Sequence, residues 1–394
     1  MKKLLLATAA TALVAGAAGA EEIKLGLLIG FTGPIESLTP SMAAAAEMAA
    51  KEVSDSGKLL GGSTVTVIRA DSTCVDAAVA QAAAEKLVTG DGVKGIIGGD
   101  CSGVTGAVLS NVAVPNGIAM ISPSATSPAL STAEDKGLFF RTAPSDAREG
   151  EIAADIMIER GVKSAALTYT NNDYGKGLAE AIATSFTAKG GTITINAAHE
   201  DGKSDYSAEV GALASAGGDI LIVAGYLDQG GAGIIQAALD TGAFSTFELP
   251  GGMIGTSMDE RFGAALNGSY GQIAGSDSAG AETFAGMASA AGFDGKSAYT
   301  PESYDAAALF ALAMQAAGST DPAAYAAKVM DVANAPGEKI FPGEIAKGLE
   351  LLAAGTDIDY EGATAVELIG PGESAGRYRE IEVKDGVQTT IGFR

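Results

Sequence analysis

The residues of this chain that could do chemistry are two cysteines, two hydroxyl-rich segments, one histidine and a large excess of carboxylates. Gly99-Asp100-Cys101-Ser102-Gly103-Val104-Thr105 and Ser122-Pro123-Ser124-Ala125-Thr126-Ser127-Pro128 each follow a short apolar run. Where the first passes into a helix, unpaired backbone N–H groups and the helix dipole favour a carboxylate, and Ser102 adds a hydroxyl donor. Ordinary capping and turn formation by Ser and Thr would explain either segment alone. Two of them at neighbouring strand ends favour an anion site. Catalytic equipment is sparse by comparison. The single histidine, His199, lies in the polar stretch NAAHEDGKSDYS and reads as solvated. A His-rich metal centre is therefore excluded, and a Ser-His-acid hydrolase is disfavoured, since no G-x-S-x-G elbow occurs. Neither GxxxxGK[ST] nor GxGxxG is present, so nucleotide phosphates have no cradle. The reading is a non-enzymatic chain without metal or cofactor.

Charge narrows the partners. Asp and Glu outnumber Lys and Arg 48 to 25, for a net charge of −23. Such a surface repels nucleic acid and anionic lipid headgroups. The N-terminus carries Lys2 and Lys3, then an apolar run from Leu4, then Ala18-Gly19-Ala20. That order describes a secretory signal over residues 1–20, cleaved before Glu21, and places the mature chain in the periplasm. In an oxidising compartment two cysteines most often pair, so Cys74 and Cys101 are expected to form a disulfide.

These residues need elements to hold them. With 394 residues, 47% of them hydrophobic, the chain is long enough for two or three domains. Near-continuous apolar runs such as Ile23–Phe31 and Asp219–Tyr226 read as strands covered on both faces. They alternate with alanine-rich helical stretches. Strands at Thr64–Asp71, Val93–Gly99 and Ile118–Ser122 alternate with helices near Thr39–Val53, Val75–Val88 and Ser102–Val114. The pattern restarts after Leu138–Pro144 with a helix from Asp146, a strand at Lys163–Thr170 and their successors. The expected architecture is α/β, with two doubly wound parallel-sheet lobes.

The ordered set DSTC…GGDCSG, SPSATSPAL, FRTAPSD, TNNDYGKG and VAGY resembles the branched-chain amino acid binding proteins, the substrate-binding components of ABC importers. The resemblance implies a type I periplasmic binding protein fold with a three-crossing hinge. The first lobe would span 21–143 and 275–375, and the second 144–274 and 376–394. It also implies a monomer that captures a small carboxylate-bearing solute and docks on a permease served by ATPase subunits. By position, Ser102 and Thr126 would hold the solute, Ser124 and Ala125 would offer backbone atoms, and Tyr174 and Tyr226 would close over it. The family's second-lobe acid, which pairs with the ligand ammonium, is replaced here by Pro250-Gly251-Gly252. Glu36, in GFTGPIESL, and Glu302, in TPESYDA, are the candidates to supply that charge. Leu38 stands where the family often carries an aromatic ring. A ligand-sensing partner of a receptor, or an exported enzyme, would be the alternative uses of such a chain.

Overall fold

The computed structural model describes residues 20–394, so the signal-peptide reading lies almost wholly outside the described residues. Two seven-stranded sheets form the two lobes. The first has the order Leu368–Ile369, Glu373–Ser374, Phe139–Pro144, Met120–Ser122, Ile96–Gly98, Glu22–Ile29, Thr64–Asp71. The second runs Val387–Phe393, Tyr378–Lys384, Tyr270–Ala274, Phe247–Leu249, Ile220–Ala224, Ser164–Thr170, Thr192–His199. In each, the first strand in sequence lies between the second and the third and pairs with both in parallel. Strand order therefore reverses beside the first strand, and loops from its carboxyl end open into a crevice where ligands bind in open α/β sheets.

The sequence explains the layers. Leu25, Leu27, Ile97 and Met120 in one sheet, and Leu167, Ile222 and Phe247 in the other, are buried between helices. Burying each such side chain contributes roughly 1.5–3 kcal/mol relative to leaving it in water. The helix Thr300–Ala317 is apolar almost all round and packs on Thr39–Ser56 as the inner helix of the first lobe. Among the described residues, no helix is long and apolar enough to cross a membrane.

The chain passes between the sheets three times: after Pro144, after Ala274, and between Ser374 and Tyr378. Cys74 and Cys101 form a disulfide with Cα atoms 5.1 Å apart, tying the loop after Thr64–Asp71 to the loop after Ile96–Gly98. Several expected elements are trimmed. The strand expected over Val93–Gly99 is reduced to Ile96–Gly98, and the helix expected to run on from Ser102 is α-helical only to Val108, then π-helical over Leu109–Ala113. Pro115, which cannot donate a backbone hydrogen bond, and the left-handed Gly117 end that helical run.

His199 departs from expectation. It is the last residue of Thr192–His199 and is buried rather than solvated. Its Nδ1 shares a hydrogen bond with the Thr168 hydroxyl at 2.9 Å, and its ring stands edge-on to Tyr206. Burial lowers it to a pKa of about 4, against the pull of Glu209.

Candidate functional site

Loops at the carboxyl ends of strands in both sheets meet between the lobes. They enclose a cavity lined on the first-lobe side by Ile35, Leu38, Asp100, Ser102 and Ser124. Tyr174, Tyr226 and Gly252 face them from the second lobe, with Tyr299 at one side. The space is small, about 20 Å³, room for one water. A larger solute enters only if the lobes part. At the rim they are joined directly: the Ser37 N–H donates to Asp228 Oδ2 at 2.9 Å, and the Asp228 N–H donates to the Pro34 carbonyl at 3.2 Å.

The first-lobe wall is rigid because each polar group is fixed by another. Asp100 is buried, and its carboxylate accepts from the Gly30 N–H at 2.6 Å and the Ser72 hydroxyl at 2.7 Å. Ser102 opens its helix, and its Oγ accepts from the Ser127 N–H at 3.0 Å, which leaves the hydroxyl proton free to donate. The adjoining helical N–H groups have no intrahelical partner. Ser124 donates its hydroxyl to the Asp100 carbonyl at 3.0 Å. Thr126 is buried, and its Oγ1 has no hydrogen-bond partner among the described residues. Ala125 does not offer free backbone atoms. Its N–H donates to Ser122 Oγ at 2.9 Å and its carbonyl accepts from Arg141 Nη1 at 3.1 Å.

On the opposite wall, Tyr174 and Tyr226 stack with ring centroids 5.1 Å apart and an interplanar angle of 19°. Tyr174 follows the N-cap Asn172 at the start of its helix, and its hydroxyl accepts from the Gly252 N–H at 3.1 Å. The Asn172 amide donates to the Tyr226 hydroxyl at 3.4 Å. A side chain at residue 252 is impossible without rearrangement: its Cβ would lie 2.5 Å from the Gly225 carbonyl oxygen and 2.6 Å from the Tyr174 hydroxyl. At residue 251 a Cβ would lie 2.8 Å from the Tyr299 hydroxyl.

Neither carboxylate proposed to replace the missing acid faces this cavity. Glu36 is exposed, because its apolar neighbours Ile35 and Leu38 take the inward positions of that loop. Glu302 is buried, but it faces a different cavity, with Tyr299 between the two.

Sequence reasoning missed the carboxylates that do approach. The helix Asp146–Glu159 starts directly after the first crossing, capped by Ser145. Its first-turn acids point inward rather than to solvent. Asp146 is 0% exposed, and neither carboxylate oxygen has a partner among the described residues. Its backbone N–H donates to the Thr126 carbonyl at 2.8 Å. Glu149 Oε1 accepts from the Gly251 N–H at 2.8 Å and from Gln272 Nε2 at 3.1 Å. A carboxylate on this helix therefore reaches the Gly251 backbone, where no side chain of residue 251 has room. Burial first, and then the charge of Glu149, push the Asp146 carboxyl well above the usual range against Thr126 and Arg141. Burial likewise raises Glu149, against the two hydrogen bonds it accepts. The sequence signal was Ser145-Asp146 followed by Glu149, which also reads as a routine helix start.

The comparisons agree with this geometry. The sequence profile of the family described as periplasmic binding protein matches residues 22–346. A Leu/Ile/Val-binding protein homolog 1 from Brucella abortus is 32% identical over 331 residues, 82% of this chain and 86% of that protein. The Leu/Ile/Val-binding protein BraC3 of Rhizobium johnstonii is 32% identical over 58% of this chain, a match that spans 61% of that relative's length. Among solved structures, a leucine binding protein from Thermotoga maritima superposes with a TM-score of 0.78 at 19% identity, covering 94% of this chain and 98% of that one. A Rhodopseudomonas palustris solute binding protein in complex with benzoate gives 0.74 at 22% identity, covering 95% and 96%. With two doubly wound lobes, a disulfide-tied serine loop and facing tyrosines at the cleft, this chain belongs to the periplasmic binding protein family, among the branched-chain amino acid binding proteins.

Proposed function

We propose that the protein is the periplasmic solute receptor of an ABC importer and captures an α-amino acid with a small apolar side chain between its lobes. The carboxylate is received by the Ser102 hydroxyl and the free N–H groups that open its helix. The ammonium lies towards Thr126, Asp146 and Glu149. Leu38 and Ile35 supply apolar contact, and the tyrosine pair closes from the second lobe. The observation that carries this reading is the buried acid pair Asp146 and Glu149, of which Glu149 accepts from the Gly251 N–H next to the cavity-lining Gly252. Two buried carboxylates with no ion pair among the described residues, eased only at Asp146 by the charge of Arg141, are costly inside a protein, and a ligand ammonium relieves that cost. Closure around the solute presents one joined surface of both lobes to a membrane permease, a hinge motion in which a few crossing residues absorb the change. Sensing rather than import would use the same capture step.

A second reading is an aromatic carboxylate such as benzoate. The stacked tyrosines and the absence of a side chain at Gly251 and Gly252 favour it. Native mass spectrometry of protein purified from the periplasm separates the two. The expected result is a bound mass of an amino acid, released unchanged on denaturation. An aromatic acid in its place, or a solute chemically altered by the protein, would overturn the proposal.

A further inference from the structure

Behind Tyr299, away from the interlobe cleft, lies a second cavity of about 330 Å³. Its walls come from both lobes: the second crossing at Gly275–Asp277, the start of the helix Thr300–Ala317, and Arg379 and Phe393 on the outer strands of the second sheet. Tyr299 lines this cavity and the cleft alike.

Two charged groups line it, the half-buried Arg379 and the buried Glu302. The Arg379 stem is laid over Gly275, where a Cβ would fall 2.7 Å from its Nε. Among the described residues its guanidinium takes part in no side-chain hydrogen bond or ion pair, although Glu302 and Asp294 are close enough to stabilise its charge. Glu302 is 2% exposed, and its Oε2 has no hydrogen-bond partner among the described residues. Arg379 and Glu302 act on one another electrostatically yet form no ion pair, and both line the cavity. Lys296, Asp277 and Glu282 are exposed at the mouth, where Asp277 faces Arg377 at 3.8 Å. A buried carboxylate oxygen without a partner is uncommon in native proteins, and a planar donor fork lining the same cavity as that carboxylate has a definite complement. That complement carries a carboxylate at one end and a cationic nitrogen at the other.

We propose that the hinge cavity is a second small-molecule site, for an amino-acid zwitterion whose carboxylate is held by Arg379 and whose ammonium is held by Glu302. Because its walls belong to both lobes and it shares Tyr299 with the cleft, occupancy couples to lobe closure.

The chain contains no Trp, so Phe393→Trp at the cavity mouth supplies a unique fluorescent reporter. Glycine and L-leucine are the probes, with acetate and methylamine as single-charge controls. The expected result is a saturable change with at least one zwitterion, weakened at least about tenfold by Arg379→Met and by the isosteric Glu302→Gln. It persists in a Ser102→Ala background, which impairs the cleft, and neither control reproduces it. Melting curves show that each variant is folded. No saturable response, or one that Ser102→Ala abolishes while Arg379→Met and Glu302→Gln leave it intact, would overturn the proposal.

Discussion

At the residue scale, the proposed function turns on carboxylates held where carboxylates are costly. Asp146 and Glu149 lie next to Thr126, Gly251 and Tyr299 with no ion pair among the described residues, and the charge of Arg141 eases the burial of Asp146 only in part. Glu149→Gln keeps the hydrogen bond from Gly251 and removes the charge. It is expected to weaken binding of L-leucine at least about tenfold, close to 1.4 kcal/mol, while a carboxylate lacking the amine changes by no more than roughly twofold. Calorimetry on both ligands checks this. Buried carboxyls also set the pH response of the unliganded protein. Burial, eased by the distant Arg379 charge, raises Glu302 to about 7, and burial raises Glu248 to about 8. Their unfolded value is near 4.5, so the folded protein holds the proton more tightly. The stability this contributes is complete below that value and is lost as pH rises through about 7 and about 8. His199 acts in the opposite sense, but only between about 4 and its unfolded 6.5. From about pH 6.5 to 8.5 the melting temperature is therefore expected to fall by roughly 2 °C or more, and Glu248→Gln should flatten the slope. A melting temperature that rises over that interval would refute the assignment.

At the element scale, the disulfide and the serine loop act as one unit. Ser72 bonds Asp100, Asp100 bonds Gly30, and the Cys74–Cys101 bridge joins the two loops that carry them. Closing a loop of separation 27 stabilises the fold by roughly 3–4 kcal/mol in the chain-entropy picture. Replacing both cysteines by Ser should lower the melting temperature by several degrees and weaken solute binding as Ser102 loses its fixed position. A double variant with unchanged binding would separate bridge from site. The strand and helix order was legible from period and composition, because parallel strands covered on both faces are written as apolar runs. Ser102, Ser124, Tyr174 and Tyr226, assigned by motif position, all line the cleft cavity, whereas Thr126 and Ala125 do not. Glu36 and Glu302 lie away from the cleft cavity for a physical reason. Sequence places an acid in a loop or at a helix start but does not say which way it turns. Ile35 and Leu38 outcompete Glu36 for the interior, and Tyr299 screens Glu302 from the cleft. Asp146 and Glu149 were hidden inside an ordinary helix cap. His199 was misread because a polar connector was taken to begin before the strand had ended.

At the scale of the whole molecule, two lobes meet through an acidic, hydroxyl-lined cleft that Asp228 latches at its rim, and all three crossings lie on one side. In the proposed function solute capture and lobe closure are one event, since Ser102 lines the cavity from the first lobe and Tyr174 and Tyr226 line it from the second. The claim that joins the scales is that the cleft recognises a zwitterion through opposed ends, with Ser102 on the carboxylate and the Asp146–Glu149 pair on the ammonium. Isothermal calorimetry of the unmodified protein with L-leucine, 4-methylpentanoate and benzoate tests it most directly. Leucine and 4-methylpentanoate share a carbon skeleton and differ by the ammonium alone. Loss of that group should weaken binding at least about tenfold, with benzoate no tighter than 4-methylpentanoate. Equal affinity for leucine and 4-methylpentanoate, or preferential binding of benzoate, would contradict the account.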